Sequence, residues 1–304
     1  MPSLSRVICK VPGSTSNCGS GFDTLGMAVS LYNEIAVERA DGAGDESFGP
    51  DIFPVSEMTR HTVATFFEES GIDPFDVRIR IRGDVPQARG LGSSVTVRGG
   101  ILGGLVELAG VDWDREKLVE VITMLEGHPD NASASVLGGF TVSRFLETPA
   151  KVEAVNKIEV ADTLRLVVVS PEFEVLTSAS RGVLPKSLDF ASAVSSINSV
   201  SCVVGALASG EYEALANAVH DSIHEPYRLK NIPGASAAIA AGIEAGAYTG
   251  WLSGSGSSVL CACTVESVDS VMAAMQAAFK DEGLESVGRN LCADNSGLQI
   301  VYSE

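Results

Sequence analysis

No stretch of the 304-residue chain approaches the roughly 18 uninterrupted apolar residues that a membrane-spanning helix needs. The opening "MPSLSRVICK" has no signal-peptide core, so a cytoplasmic location is expected. Positive charge is scarce: 21 Lys and Arg stand against 39 Asp and Glu, a formal net charge of −18. Nucleic acid and membranes are therefore not expected partners, because binding to phosphate backbones leans on basic patches. A few arginines gathered in one cleft can still create a positive potential for a small anionic ligand. A cysteine framework is missing too. Cys9, Cys18, Cys202, Cys261, Cys263 and Cys292 are scattered, and Cys261 and Cys263 alternate within an apolar run, as buried small side chains do and zinc ligands do not. No internal repeat and no low-complexity linker interrupts the chain.

What is present is enough chain for one large domain or two ordinary ones, 45% hydrophobic and 20% charged, which suits a sizeable core. Residues 6–11 and 32–40 read as strands. In "FDVRIRIRGDVP" Val77, Ile79 and Ile81 alternate with Arg78, Arg80 and Arg82, a strand whose basic face is expected to be solvated. Around 112–127 Asp112 is a candidate N-cap, Asp114 and Glu116 fall in the first turn, Leu118, Val121, Ile122 and Leu125 recur at helical spacing, and Gly127 ends the helix. Residues 44–54 read as a loop. A continuous apolar strand at 164–171 opens a second half with helices expected at 190–208, 211–223, 235–245 and 266–281. Strands are expected at 248–253, 258–264 and 298–302. Helices and strands mixed without βαβ regularity indicate an α+β protein, dividing near residue 160.

The densest chemistry lies in "GDVPQARGLGSSVTVRGG" (83–100), where glycines and serines precede a helix. Unpaired N–H groups at a helix start carry the positive end of the dipole and cradle phosphate, and glycine lets the backbone come close. The loop is no Walker motif, lacking G-K-[ST], and it does not match G-x-G-x-x-G. Alone it is as compatible with a tight turn as with a phosphate site.

Three further stretches accompany it: "VPGSTSNCGSGFDTLGMAV", "LEGHPDNASASVLGGF" and "WLSGSGSSVL". Together the four resemble the GHMP small-molecule kinases over nearly the whole chain, with P-x-x-x-G-L-G-S-S from Pro86 to Ser94. Serines stand in "LSGSGSS" where members usually carry alanine and proline. Within the family, "STSNCGSGFDTLG", "HPDN" followed by "GGF", and "EPYRLKNIPG" are most similar to members that act on L-homoserine. The resemblance implies an ATP-binding N-terminal domain (1–160) with a left-handed βαβ unit and a ferredoxin-like C-terminal domain (161–304). It implies ATP- and Mg²⁺-dependent phosphorylation of the homoserine side-chain hydroxyl to O-phospho-L-homoserine, toward threonine, and a possible homodimer.

By that resemblance Pro86, Arg89, Gly90, Leu91, Gly92, Ser93 and Ser94 hold the nucleotide, and Ser94 and Glu126 hold Mg²⁺, a hard ion suited to a hydroxyl and a carboxylate. Arg181 and Arg228 match the positions that take the substrate carboxylate, for which guanidinium offers planar paired donors. Asn17, Asp23 and Asn131 match the substrate side, with Thr177 and His128 nearby. Asn131 stands where several family members carry an aspartate, and an amide is no base. Direct transfer is therefore expected, with Asn131 positioning the hydroxyl and the catalytic set being Asn131, Ser94 and Glu126. His128 and Asp130 also suggest a metal pair, though two residues at that spacing are weak evidence for one.

Two features resist the pattern. A carboxylate at Glu126 and a cation at Arg98 each stand at the helix end whose dipole disfavours them. Arg98 is read as snorkelling to the surface. Gly99, Gly100, Gly103 and Gly104 weaken their helix by roughly 1 kcal/mol each unless close packing needs them. The alternative functions are phosphorylation of threonine or a polyol, and a silent nucleotide or metabolite sensor.

Overall fold

The computed structural model describes residues 4–40, 48–52, 56–147, 150–175 and 177–304, so most of the loop read at 44–54 lies outside them. The chain builds two sheets. The first takes β1 (Arg6–Ser16), β2 (Leu25–Arg39), β3 (Val77–Gly83), β4 (Phe140–Glu147), β5 (Ala150–Ile158) and, from the far end of the chain, β10 (Gln299–Ser303). Its order is β10-β1-β2-β4-β5, with β3 pairing the second half of the long β2 while β4 pairs its first residues. Helices α1 (Glu57–Ser70), α2 (Ser93–Ala109), α3 (Arg115–Glu126) and α4 (Asp130–Leu137) cover it. Val7, Cys9, Val11, Ile35, Val37 and Ile79 of the sheet meet Val95, Ile101, Leu102 and Leu105 of α2 in one core.

The second sheet is antiparallel, ordered β7-β8-β6-β9, from β6 (Arg165–Pro171), β7 (Thr249–Leu252), β8 (Val259–Cys263) and β9 (Ser286–Leu291). Between β6 and β7 stand α5 (Thr177–Gly182), α6 (Phe190–Ser209), α7 (Glu225–Arg228) and α8 (Ala235–Glu244), and α9 (Val268–Asp281) joins β8 to β9. With α8 and α9 as its helices this is a βαββαβ unit, the ferredoxin-like arrangement. The apolar run at 164–171 follows from burial on both faces. Val167 and Val169 join Cys261 and Cys263 under α8 and α9, while Leu166 and Val168 join Leu260, Ala262 and Trp251 on the other side. The two cysteines are free and buried, and burial pushes their thiols up to about 12 and about 11. On this partition of strands we propose a domain boundary near residue 160, with β10 returning to the first layer.

Several local expectations change. The N-cap of α3 is Asp114, whose side chain accepts from Lys117 N at 2.8 Å, rather than Asp112. Trp113 intervenes and packs its ring on Phe66, 5.3 Å between centroids, which sets the helix start two residues later. The helix expected over 211–223 is only a 3-10 turn at Tyr212–Leu215. Residues 220–225 are instead gathered by the Asp221 carboxylate, which accepts from Ile223, His224 and Glu225 N–H groups. The arginine face of β3 is only partly wet: Arg82 pairs with Glu34 at 2.6 Å, but Arg80 is buried. Among the described residues α6 alone has the length and composition of a membrane span, with mean hydropathy 1.5. Here Val203, Ala206 and Leu207 face the core, and Phe190, Val194 and Ile197 face outward.

The glycines of α2 are a packing device at two positions. A Cβ on Gly100 would stand 2.6 Å from the Ile35 side chain, and one on Gly104 2.5 Å from Val37, so α2 rests almost directly on β2. At Gly99 the nearest atoms are 3.6 Å away, an ordinary contact. Gly100→Ala should therefore lose about 1–3 kcal/mol to overpacking, whereas Gly99→Ala should gain up to about 1 kcal/mol of helix propensity. Urea unfolding of both variants reads the difference, and equal gains would mean that α2 lifts from the sheet freely.

Candidate functional site

Gly90 and Gly92 adopt left-handed φ of 70° and 69°, and Gly92 is the N-cap of α2 with no side chain to satisfy the first N–H groups. The first turn of α2 contains no acid. The helix therefore presents open donors and its positive pole to the cleft. The turn between β7 and β8 grips this loop from the other half of the chain: Ser253 Oγ donates to Gly90 O at 2.6 Å, and Ser258 N to Arg89 O at 3.3 Å.

Asn131, in the first turn of α4, is held on both sides. Its Oδ1 accepts from Ser14 Oγ at 2.9 Å, and its Nδ2 donates to Ser16 Oγ at 3.0 Å. Next to it Asp130 is buried and accepts from His128 Nδ1 at 2.6 Å and from Asn131 N at 2.7 Å. Burial opposes the imidazolium, but Asp130, with Asp23 and Glu126 beyond it, outweighs that and holds His128 above its ordinary pKa. Burial likewise works against the Asp130 charge, and His128 with the neighbouring donors overcomes it and keeps that carboxyl below its ordinary value.

Asn17, Cys18 and Asp23 have positive φ, a strained turn fixed by Asn17, whose Oδ1 accepts from Asp23 N and whose Nδ2 donates to Gly254 O. Asp23 forms a two-pronged pair with Arg181, at 2.7 and 2.9 Å. Burial still raises the Asp23 pKa against that guanidinium. Arg228 is buried, donating to Ser180 O and Gly254 O at 3.2 Å each. Burial and then Arg181 push it down to about 10. The Phe22 ring centroid stands 5.2 Å from the Arg181 guanidinium and 5.1 Å from that of Arg228.

At the opposite wall Ser94 Oγ donates to Glu126 Oε2 at 3.1 Å. Two hard oxygens at that separation match the edge of an octahedron with metal–oxygen bonds of about 2.1 Å, an edge about 3.0 Å long. This pair fits Mg²⁺. Arg98 does not snorkel: its Nε lies 2.8 Å from Glu126 Oε1, and both side chains are nearly buried. Asp23, His128 and Asp130 also come within 4.8 Å of one another. They are poor metal ligands as they stand, because Arg181 already engages Asp23 and His128 engages Asp130.

Asn17, Asp23, Glu126, His128, Asn131, Arg181 and Arg228 line one cleft with the glycine-rich loop. Residues 57–139 match the GHMP kinases N terminal domain and residues 203–281 the GHMP kinases C terminal domain. A protein from Moorella thermoacetica named homoserine kinase is 33% identical over 97% of this chain and 99% of its own. The chain belongs to the GHMP kinase family. A second homoserine kinase, from Microchaete diplosiphon, is 34% identical over 99% of both chains. The crystal structure of homoserine kinase from Cytophaga hutchinsonii superposes with a TM-score of 0.83 at 24% identity, covering 98% of each chain, which shows the shared two-domain fold. As a GHMP kinase the protein uses ATP and acts on a small molecule.

The cleft of this kinase brings together Pro86, Arg89, Gly90, Leu91, Gly92, Ser93 and Ser94 with Asn17, Asp23, Glu126, His128, Asn131, Arg181 and Arg228. Thr177 begins α5, and its side chain lies outside the described residues. Sequence reasoning gave no role to Ser14, Ser16, Phe22 or Gly254, although each lies inside or beside a quoted motif.

Behind Arg228, the Glu225 carboxyl accepts from Leu252 N at 2.6 Å and ties α7 to β7. Burial lifts it to about 8 in spite of that bond, with Asp221 adding to the rise. The fold thus favours the neutral acid, a contribution complete below the ordinary value of 4.5 and lost as pH rises through about 8. Glu225→Gln stays neutral and still accepts from Leu252. Wild type should lose stability relative to this variant between about pH 5 and about pH 8.5 in urea titrations. A pH-independent difference would contradict the buried acid.

Proposed function

We propose that this kinase transfers the γ-phosphoryl group of ATP to the side-chain hydroxyl of L-homoserine, giving O-phospho-L-homoserine and ADP, a step toward threonine. The observation that carries the reading is the corner made by Arg181, Arg228 and Asp23, in the same cleft as the glycine-rich loop. Arg181 and Asp23 now satisfy each other. A zwitterion exchanges that one pair for two, carboxylate on guanidinium and ammonium on carboxylate. A polyol offers neither group and would have to leave the pair intact. The names of the full-length relatives point the same way.

The loop and the N-terminus of α2 receive the phosphates on backbone donors. Ser94 and Glu126 would hold Mg²⁺, which supplies charge neutralisation to the phosphates. Asn131, clamped by Ser14 and Ser16, orients the hydroxyl toward the γ-phosphorus. The hydroxyl oxygen bonds to phosphorus as the bond to ADP breaks, and the proton passes to a phosphate oxygen. A base is hard to find among the neighbours: His128 holds its proton more firmly than free imidazole, Asp130 is occupied by it, and Asn131 has no basic atom. We further propose a cytoplasmic location and a homodimer, the outward Phe190, Val194 and Ile197 of α6 supporting an interface between copies.

ADP release with homoserine, threonine, serine and polyols supplied singly tests the substrate. Saturable turnover should appear with homoserine, and Arg181→Ala should raise its KM about 10- to 100-fold, as expected for a lost charge-assisted pair. Turnover with a polyol alone would move the assignment. Asn131→Ala should lower kcat on the order of 100-fold through lost orientation while leaving the pH–rate profile unchanged near neutrality. A vanished ionisation in that profile would sink direct transfer.

A further inference from the structure

Arg98 stands one turn after Ser94 on α2, yet it does not line the cleft. It approaches Glu126 from behind. Its Nε holds Oε1 at 2.8 Å, leaving Oε2 to Ser94 Oγ at 3.1 Å on the cleft wall. The contact is an ion pair rather than an aligned hydrogen bond: Nε, Nη1 and Oε1 are all buried with no hydrogen-bond partner among the described residues, so this carboxylate is the counter-ion that the guanidinium meets. Thr96 and Val97, its neighbours on the helix, are buried, and α2 itself is pinned to β2 at Gly100, so the cation has little freedom to withdraw.

We propose that Arg98 is a positioning residue, a built-in counter-ion for the carboxylate that receives the divalent cation. It fixes which oxygen of Glu126 faces Ser94, and its charge keeps the Ser94–Glu126 pair from capturing a cation before the nucleotide arrives. The inference rests on the reading of Ser94 and Glu126 as the metal site and adds an order of events to it. A dication meets one carboxylate already matched by one guanidinium, so two oxygens alone bind it weakly. The phosphates of ATP bring the negative charge that makes up the deficit, and the cation enters with them. In a nearly buried site screening is weak, so the repulsion between guanidinium and dication outweighs the loss of orientation when the guanidinium is removed.

The test is Mn²⁺ binding to the full chain without nucleotide, read by the loss of the free-ion EPR signal, alongside kinetics. Arg98→Met should bind Mn²⁺ about tenfold more tightly than wild type, and Arg98→Lys, which keeps the charge, should stay within about twofold. Glu126→Gln added to Arg98→Met should erase the gain. In turnover Arg98→Met should lower kcat about tenfold, the usual scale for a lost outer partner of a metal ligand, with KM for the amino acid unchanged. Arg98→Gln carries the same comparison if Arg98→Met does not fold. Unchanged or weaker Mn²⁺ binding in the neutral variants overturns the counter-ion role while leaving the metal site standing. A gain that survives Glu126→Gln overturns both.

Discussion

A Cβ atom on Gly90 would lie 2.0 Å from the carbonyl oxygen of Ser253, and on this close approach of two backbones the whole cleft depends. Gly90 belongs to the loop that precedes α2, and Ser253 to the turn that follows β7, so the contact joins the two layers of the molecule. Ser253 Oγ seals it by donating to Gly90 O, with Thr15 Oγ1 3.0 Å away able to donate to it in turn, and Asn17 Nδ2 donates to Gly254 O from the same side. The bareness of the loop thus answers two demands. Phosphate needs exposed N–H groups, and the opposite layer needs room for its own main chain. Gly92 is bare for a different reason, since a side chain there would run into Ser14 Oγ of β1 at 2.4 Å, the hydroxyl that holds Asn131. One loop therefore sets the phosphate cradle and the orientation of the amide together.

The cleft holds charges of both signs in an otherwise acidic protein. A chain of net charge −18 brings Arg89, Arg181 and Arg228 to one cleft beside Asp23, Glu126 and Asp130, so an anion meets cations there that the surface average hides. Two of these cations are bound by particular acceptors rather than by water: Arg181 by Asp23, and Arg228 by two backbone carbonyls of the second layer. Arg228 is the more rigid of the two, because Ser180 and Gly254 fix it whether or not a carboxylate is present. Arg181 has a partner that the substrate can claim. Recognition of a zwitterion then needs no further protein charge to be buried, because each ligand charge is matched by one end of a pair already in place.

Much of this was legible in the residues because strands buried on both faces and helices with one apolar stripe write their periods openly. The runs at 164–171, 190–208, 235–245 and 258–264 appear nearly as read. What failed was local competition that periodicity cannot see. At Asp112 and Asp114 two equally good caps stand two residues apart, and the packing of Trp113 on Phe66 decides between them. Over 211–223 the apolar spacing suits a helix, but the Asp221 side chain gathers the N–H groups of 223–225 and turns the chain toward Arg228. The site residues were visible through motif resemblance rather than through spacing. The clamp of Ser14 and Ser16 on Asn131 was not, since it joins residues more than a hundred positions apart.

Arg98 and Glu126 carry the same lesson further. Each alone violates the dipole rule, a cation in the first turns of α2 and an anion at the last residue of α3. Brought to 2.8 Å they remove each other's offence: the guanidinium stands where the carbonyl end of α3 wants positive charge, and the carboxylate lies near the amino end of α2, which wants negative. Two residues that look misplaced along the chain are one well-placed pair in space. The pair can form only because α2 and α3 meet with opposite poles adjacent, and that geometry in turn needs α2 seated on β2 through Gly100 and Gly104. The glycines that weaken the helix are therefore part of what aligns the carboxylate, and a sequence that kept the phosphate loop but filled those positions would lose the alignment.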